Sequence, residues 1–74
     1  MVLTAKLISR LTLYHSILTG LEEDGIDTVS SPQIAELLKI DDSQVRKDIK
    51  FLGKSGKTKV GYRVIEVRKL IEKT

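Results

Sequence analysis

Ser43, Gln44, Arg46, Lys47 and Lys50 fall within one short stretch of the chain, and their side chains form a set of cations and hydrogen-bond donors. An arginine fork or a lysine donates to O6 and N7 of guanine, a glutamine bonds adenine through both ends of its amide, and a serine serves base or phosphate. Arg46 and Lys47 are the leading base readers by this logic, and Lys50 is placed for phosphate. Further on, Lys54, Lys57, Lys59 and Arg63 are interleaved with Gly53, Gly56 and Gly61, so these cations ride on a backbone able to approach a phosphate strand or to put a cation into a minor groove. The chemistry of both groups is non-covalent recognition of a polyanion. Catalysis has no comparable set. His15 is the single histidine, cysteine is absent, and no nucleophile, base and oxyanion donor share a spacing, so an enzyme is not expected.

The charge pattern agrees. The net charge is only +3, but it is unevenly placed. Residues 21–40 carry Glu22, Glu23, Asp24, Asp27 and Glu36 against Lys39 alone. Residues 41–63 carry Arg46, Lys47, Lys50, Lys54, Lys57, Lys59 and Arg63 against Asp41, Asp42 and Asp48. A basic stripe confined to one part of a fold is the footprint of a polyanion binder, although a plain solvated face produces similar runs. The acids Glu22 to Asp24, at the end of a helix, are expected to face water.

Four helices must position these groups. Leu7, Leu11, Tyr14, Ile17 or Leu18, and Leu21 recur at steps of three and four, which predicts an amphipathic helix from about Thr4 to Asp24, ended by Gly25. Thr28 and Val29 make at most a very short strand. Ser31 before Pro32 reads as an N-cap with proline in the first helical position, opening a short helix through about Lys39 with Ile34, Leu37 and Leu38 buried. Ile40 packs under the tight turn that follows. Asp41 and Gln44 have the spacing of a capping box, and Val45, Ile49 and Leu52 give a third helix, Asp42 to Leu52, its inner face, with Gly53 as the stop. The free N–H groups at the start of that helix are a further place for a phosphate. Residues 54–64 suit a β-hairpin wing, and Val64, Val67, Leu70 and Ile71 predict a closing helix from Ile65 to Lys73. Tyr62 either joins the wing's outer surface or buries its ring on the last helix; burial is favoured because the chain has few aromatics and large rings dominate small cores.

A short helix, a turn and a second capped helix is the helix-turn-helix pattern, in which the second helix enters the major groove. The fold class is therefore mainly α, a winged helix-turn-helix of three helices, a short hairpin wing and a C-terminal helix. Its 74 residues are expected to form one domain, 1–74, and a core of this size rarely supplies more than about 3–5 kcal/mol without disulfides or metals. No apolar run reaches membrane-span length and no signal peptide is evident, which places the protein in a cytoplasm, away from membranes.

Particular residues point to a family. Arg10-Leu11 with Leu13-Tyr14 in the first helix, Val29-Ser30-Ser31 with Ile34-Ala35 and Leu38 in the second, and Val45-Arg46-Lys47-Asp48 in the third are followed by Gly53, Gly56-Lys57, Val60-Gly61-Tyr62 and Val64. In this order and spacing, over nearly the whole chain, they resemble the N-terminal winged-helix domain of the Rex redox-sensing transcriptional repressors. The resemblance implies a repressor that binds double-stranded DNA at palindromic operators as a homodimer, with the third helix in the major groove and the wing in the minor groove. It also implies release of DNA when NADH binds a second, Rossmann-type domain, which residues 1–74 do not contain. Gly53, Gly56 and Gly61 do not make a dinucleotide loop, so no cofactor is expected in this chain, and as an isolated domain it is expected to lack the main dimer interface and bind weakly, with its own state, monomer or pair on DNA, left open by the sequence. For Arg10 the resemblance implies a DNA-facing or inter-domain contact, against the plainer alternative of a solvated arginine. Thr12, Ser55, Lys59 and Arg63 depart from the family pattern, mostly toward more positive charge.

The rival reading is a winged helix that binds protein, through the acidic stretch around residues 22–27 or through the basic face. Protein-docking faces carry apolar anchors amid depleted charge, whereas the third helix offers cations and short donors.

Overall fold

The three- and four-residue returns of leucine near the N-terminus wind into helix α1 (Ala5–Glu23) in the computed structural model, which describes residues 4–53 and 61–74. Thr4 caps it, its Oγ1 accepting the Leu7 N–H at 3.1 Å, and Leu7, Leu11, Tyr14 and Leu18 form the buried stripe. The helix ends in a Schellman arrangement: Gly25, at φ +77°, donates to Glu22 O and Ile26 donates to Leu21 O.

Helix α2 (Ser31–Leu38) begins one residue earlier than expected. Its N-cap is Ser30, whose Oγ accepts the Gln33 N–H at 3.2 Å while Gln33 Oε1 accepts the Ser30 N–H at 2.8 Å. This reciprocal pair explains the shift. A cap at Ser31 would have Ile34 three residues on, which cannot reach back, whereas Ser30 has Gln33. Ser31 is instead buried in the first turn and Pro32 follows it. Leu37 is also corrected: it is 58% exposed. The buried arc is centred between Ile34 and Ala35, and at 3.6 residues per turn Leu37 lies about 110° from that centre.

The chain turns sharply after α2 because Lys39 adopts the left-handed conformation (φ 57°, ψ 45°), letting Ile40 donate to Ala35 O at 3.0 Å and pack against the core. Helix α3 (Asp42–Phe51) follows at once, with Asp41 as N-cap and Gly53 at φ +98° just past its end. The expected Asp41–Gln44 capping box does not form: Asp41 Oδ1 accepts the Ser43 N–H at 3.1 Å, and the Gln44 side chain goes elsewhere.

Strand β1 (Thr28–Val29) pairs antiparallel with β2 (Tyr62–Arg63), matching Thr28 with Arg63 and Val29 with Tyr62. The strand that leads out of the wing is thus held by the segment between α1 and α2; the rest of the expected hairpin, residues 54–60, lies outside the described residues. Gly61 makes that pairing possible, since a Cβ on it would stand 2.7 Å from Val29 O. Tyr62 is buried, 3% exposed, as favoured from sequence. Helix α4 (Val64–Glu72) then packs against α1, while α2 packs against α3. One core joins them: Leu7, Leu11, Tyr14 and Leu18 meet Ile34, Val45, Ile49, Val64 and Val67. Among the described residues no helix is long and apolar enough to cross a membrane.

Candidate nucleic-acid interface

Helix α3 is two-sided because its apolar residues recur at four: Val45 and Ile49 are buried, and Leu52, just past the helix, packs against the core. The same geometry turns Arg46, Lys47 and Lys50 outward into solvent, with Ser43 and Gln44 half-buried beside them. Arg46 is 53% exposed and its Nη1 lies 2.7 Å from Asp42 Oδ2, one turn back; an exposed pair of this kind is worth little and yields readily to a competing anion. The structure therefore brings Ser43, Arg46, Lys47 and Lys50 onto one convex face.

The start of α3 does not offer the free N–H groups expected there. Asp41 takes the Ser43 N–H, and that hydrogen bond holds the Asp41 carboxyl below the usual carboxylate range, so an acid already occupies the position a phosphate would need.

The most consequential polar group was not among the candidates. Asp48 is 3% exposed, on the inner side of α3 beside Ile49. Arg10 Nε donates to its Oδ2 at 2.7 Å and Arg10 Nη2 to its Oδ1 at 3.1 Å; the Tyr14 hydroxyl donates to Oδ2 at 2.5 Å and Gln44 Nε2 to Oδ1 at 2.9 Å. Burial pushes the Asp48 carboxyl up, but hydrogen bonds from Arg10, Tyr14 and Gln44 outweigh it and leave the group below the ordinary aspartate range. Burial and the neighbouring carboxylate push the Tyr14 phenol up, and the hydrogen bond to Asp48 does the same for the Arg10 guanidinium. Arg10 is thus not a free solvated arginine: its guanidinium is held on Asp48, with the side chain 26% exposed. Gln44, expected to offer both ends of its amide to a base, has its nitrogen engaged. One signal was available: Asp48 sits within the Val45–Ile49–Leu52 apolar stripe, where an acid must find donors or not be buried.

Arg63 is exposed on β2 and is the residue from which α4 starts. Lys54, Lys57 and Lys59 lie outside the described residues. Between α1 and α4, His15 Nε2 stands 2.7 Å from Glu72 Oε2, Arg68 bridges Glu72 at 2.6 Å, and its Nε lies 2.7 Å from Glu22 Oε1. Glu22 therefore ties α1 to α4 instead of simply facing water, and His15 meets Glu72 across the same helices. Among the described residues no group of three or more histidines and acids could hold a metal.

Known proteins resemble this chain in sequence and fold. A family model described as "Putative DNA-binding protein N-terminus" matches residues 4–49. The redox-sensing transcriptional repressor Rex of Thermosipho africanus is 48% identical over 65 residues, covering 88% of this chain and 31% of that protein. Rex of Maridesulfovibrio salexigens is 42% identical over 60 residues, 81% of this chain and 29% of the relative. The chain thus spans about a third of the length of the curated relatives it matches. Among solved structures, RSP, a Rex-family repressor, in complex with β-NAD+ and operator DNA superimposes with a TM-score of 0.86 at 29% identity, over 99% of this chain and 34% of that one. RSP in complex with β-NADH gives 0.83 at 27% identity, over 99% of this chain and 32% of that one. With the family model covering most of α1 to α3 and the fold matching throughout, the chain belongs to the family of Rex N-terminal winged-helix DNA-binding domains.

Proposed function

We propose that this domain reads double-stranded operator DNA for a Rex-like transcriptional repressor, laying the outer face of α3 in the major groove. Arg46 and Lys47 donate to base edges, Ser43 to base or phosphate and Lys50 to phosphate. The basic segment Lys54, Lys57 and Lys59, with Arg63 at its root, runs along a phosphate strand or into the minor groove. Arg10 and Gln44 belong to this face through Asp48. The observation that carries the reading is the two-sidedness of α3: Arg46, Lys47 and Lys50 are exposed while Val45 and Ile49 are buried, on a chain that overlays a Rex-family repressor solved with operator DNA.

The wider assignment is a non-enzymatic cytoplasmic regulator whose operator is palindromic because two copies bind it, the pairing being supplied by a longer protein of which 1–74 is the DNA-reading domain. Nicotinamide dinucleotide would then act through that longer protein. Among the described residues the glycines do not fit it: Gly53 ends a helix, and the space a Cβ on Gly61 would need is taken by the Val29 carbonyl, so neither opens a cradle for a pyrophosphate.

A salt titration of duplex binding tests the proposal. Four phosphates neutralised, by Lys50, Lys54, Lys57 and Lys59, give a slope of log K against log salt near about −3.6. A flat response would refute the reading and favour a protein-docking module.

A further inference from the structure

Apolar contact is non-directional, so Val45 and Ile49 can hold α3 at a given depth but only weakly set its rotation about its own axis. Hydrogen bonds are directional. The inward face of α3 presents one carboxylate, Asp48, and it receives four hydrogen bonds from three side chains, two of them on α1 and more than thirty residues away in sequence. Asp48 immediately follows Arg46 and Lys47, so whatever fixes it fixes them. With side chains reaching about 5–6 Å from the helix axis, a roll of about 20° moves their donors by about 2 Å. Base contacts tolerate only a few tenths of an ångström around about 2.9 Å.

We propose that Asp48 sets the rotation of the reading helix, and that Arg10, Tyr14 and Gln44 act through it as positioning residues that determine which base edges Arg46 and Lys47 meet. The proposal rests on the DNA-reading function above and assigns its specificity partly to residues that do not touch DNA. It also gives Gln44 a different task from the one its type suggests. With one Nε2 hydrogen donated to Asp48, its amide is oriented by the protein before any base is met.

The test uses Tyr14→Phe, which keeps the ring and removes the hydroxyl, and Gln44→Met, which keeps the length of the side chain and removes the donor. Each is titrated with a duplex selected by the unmodified protein from a random pool and with a scrambled duplex, with the folded fraction fixed by circular dichroism. We expect the selected-to-scrambled affinity ratio to fall by up to about tenfold in each variant, while scrambled-duplex affinity and the salt slope stay unchanged. Reselection with Gln44→Met should relax several base-pair positions together. A role confined to stability lowers the urea midpoint and leaves the ratio of the folded protein unchanged, and that result in both variants overturns the proposal. Relaxation at a single position by Gln44→Met marks it as a base reader and overturns its assignment here. Failure of the unmodified protein to select any sequence overturns the DNA-reading function itself, and the proposal with it.

Discussion

Three glycines should respond to alanine with different signs, for reasons visible in the structure. Gly20 lies inside α1, and a Cβ there meets nothing within 4 Å, so Gly20→Ala only removes backbone freedom from the unfolded chain and should stabilise by about 0.5–1 kcal/mol. Gly25 is equally open but sits at φ +77°, and alanine there should cost about 1–2 kcal/mol of left-handed strain. Gly61 combines φ +91° with a Cβ that would stand 2.7 Å from Val29 O, 2.9 Å from Val29 C and 3.2 Å from Ser30 N, all backbone atoms unable to swing aside. Relief requires β2 to move off β1, dragging the buried Tyr62 with it. Overpacking of this kind adds about 1–3 kcal/mol to the strain, about 2–5 in all. A domain this small holds about 3–5 kcal/mol, so Gly61→Ala should be largely unfolded, and it is best measured in the Gly20→Ala background. Urea denaturation followed by circular dichroism reads each shift as a change in midpoint at constant slope. If Gly61→Ala costs no more than Gly25→Ala, the close approach of Gly61 to β1 is wrong, and with it the anchoring of the wing's root.

Ser30→Ala should cost about 1 kcal/mol by removing the cap of α2, whereas Ser31→Ala leaves that cap intact; equal urea midpoints for the two would contradict the assignment of the N-cap. Asp48 has a folded-state pKa below its unfolded value, so its stabilisation is present above the ordinary aspartate value of about 3.9 and is lost as the pH falls through the lower folded value. Asp48→Asn should therefore flatten the acid limb of a stability–pH curve, and an unchanged limb would refute the pairing. Tyr14, shifted upward, works in the opposite sense: its contribution is complete below about pH 10 and is lost as the pH rises toward its folded value, so Tyr14→Phe should flatten the alkaline limb instead. Arg46→Ala or Lys47→Ala should cost about 1–3 kcal/mol of binding and relax sequence preference, while Lys50→Ala, Lys57→Ala or Lys59→Ala should weaken all duplexes alike and reduce the salt slope by about 0.9 each; affinity titrations at several salt concentrations would separate the two classes.

Local periodicity made the helices legible. The returns of Leu7, Leu11, Tyr14 and Leu18, and of Val45, Ile49 and Leu52, bracket α1 and α3 to within a residue or so at each end, because both helices bury one stripe and solvate the rest. The outward face of α3 followed from the same count. Caps were harder, since Ser30 and Ser31 are chemically identical and only the partner three residues on, Gln33 or Ile34, decides between them. Asp41 and Gln44 have capping-box spacing, yet the Gln44 side chain turns along its own helix and donates Nε2 to Asp48, one turn further on. Contacts between distant segments were out of reach. Nothing within α1 tells Arg10 and Tyr14 that an aspartate will arrive from α3, and nothing near Glu22 or His15 announces Arg68 and Glu72. The pairing of Tyr62–Arg63 with Thr28–Val29 is likewise a tertiary event, made possible by a glycine whose purpose shows only once β1 lies against it.

Selection of bound sequences from a random duplex pool, run in parallel with the unmodified protein and with Lys47→Ala, bears most directly on the outer face of α3. Our account predicts a recovered motif for the first, and loss of preference at a defined position for the second with overall affinity for random duplex kept. Recovery of no motif, or of the same motif at every position by both proteins, would contradict it.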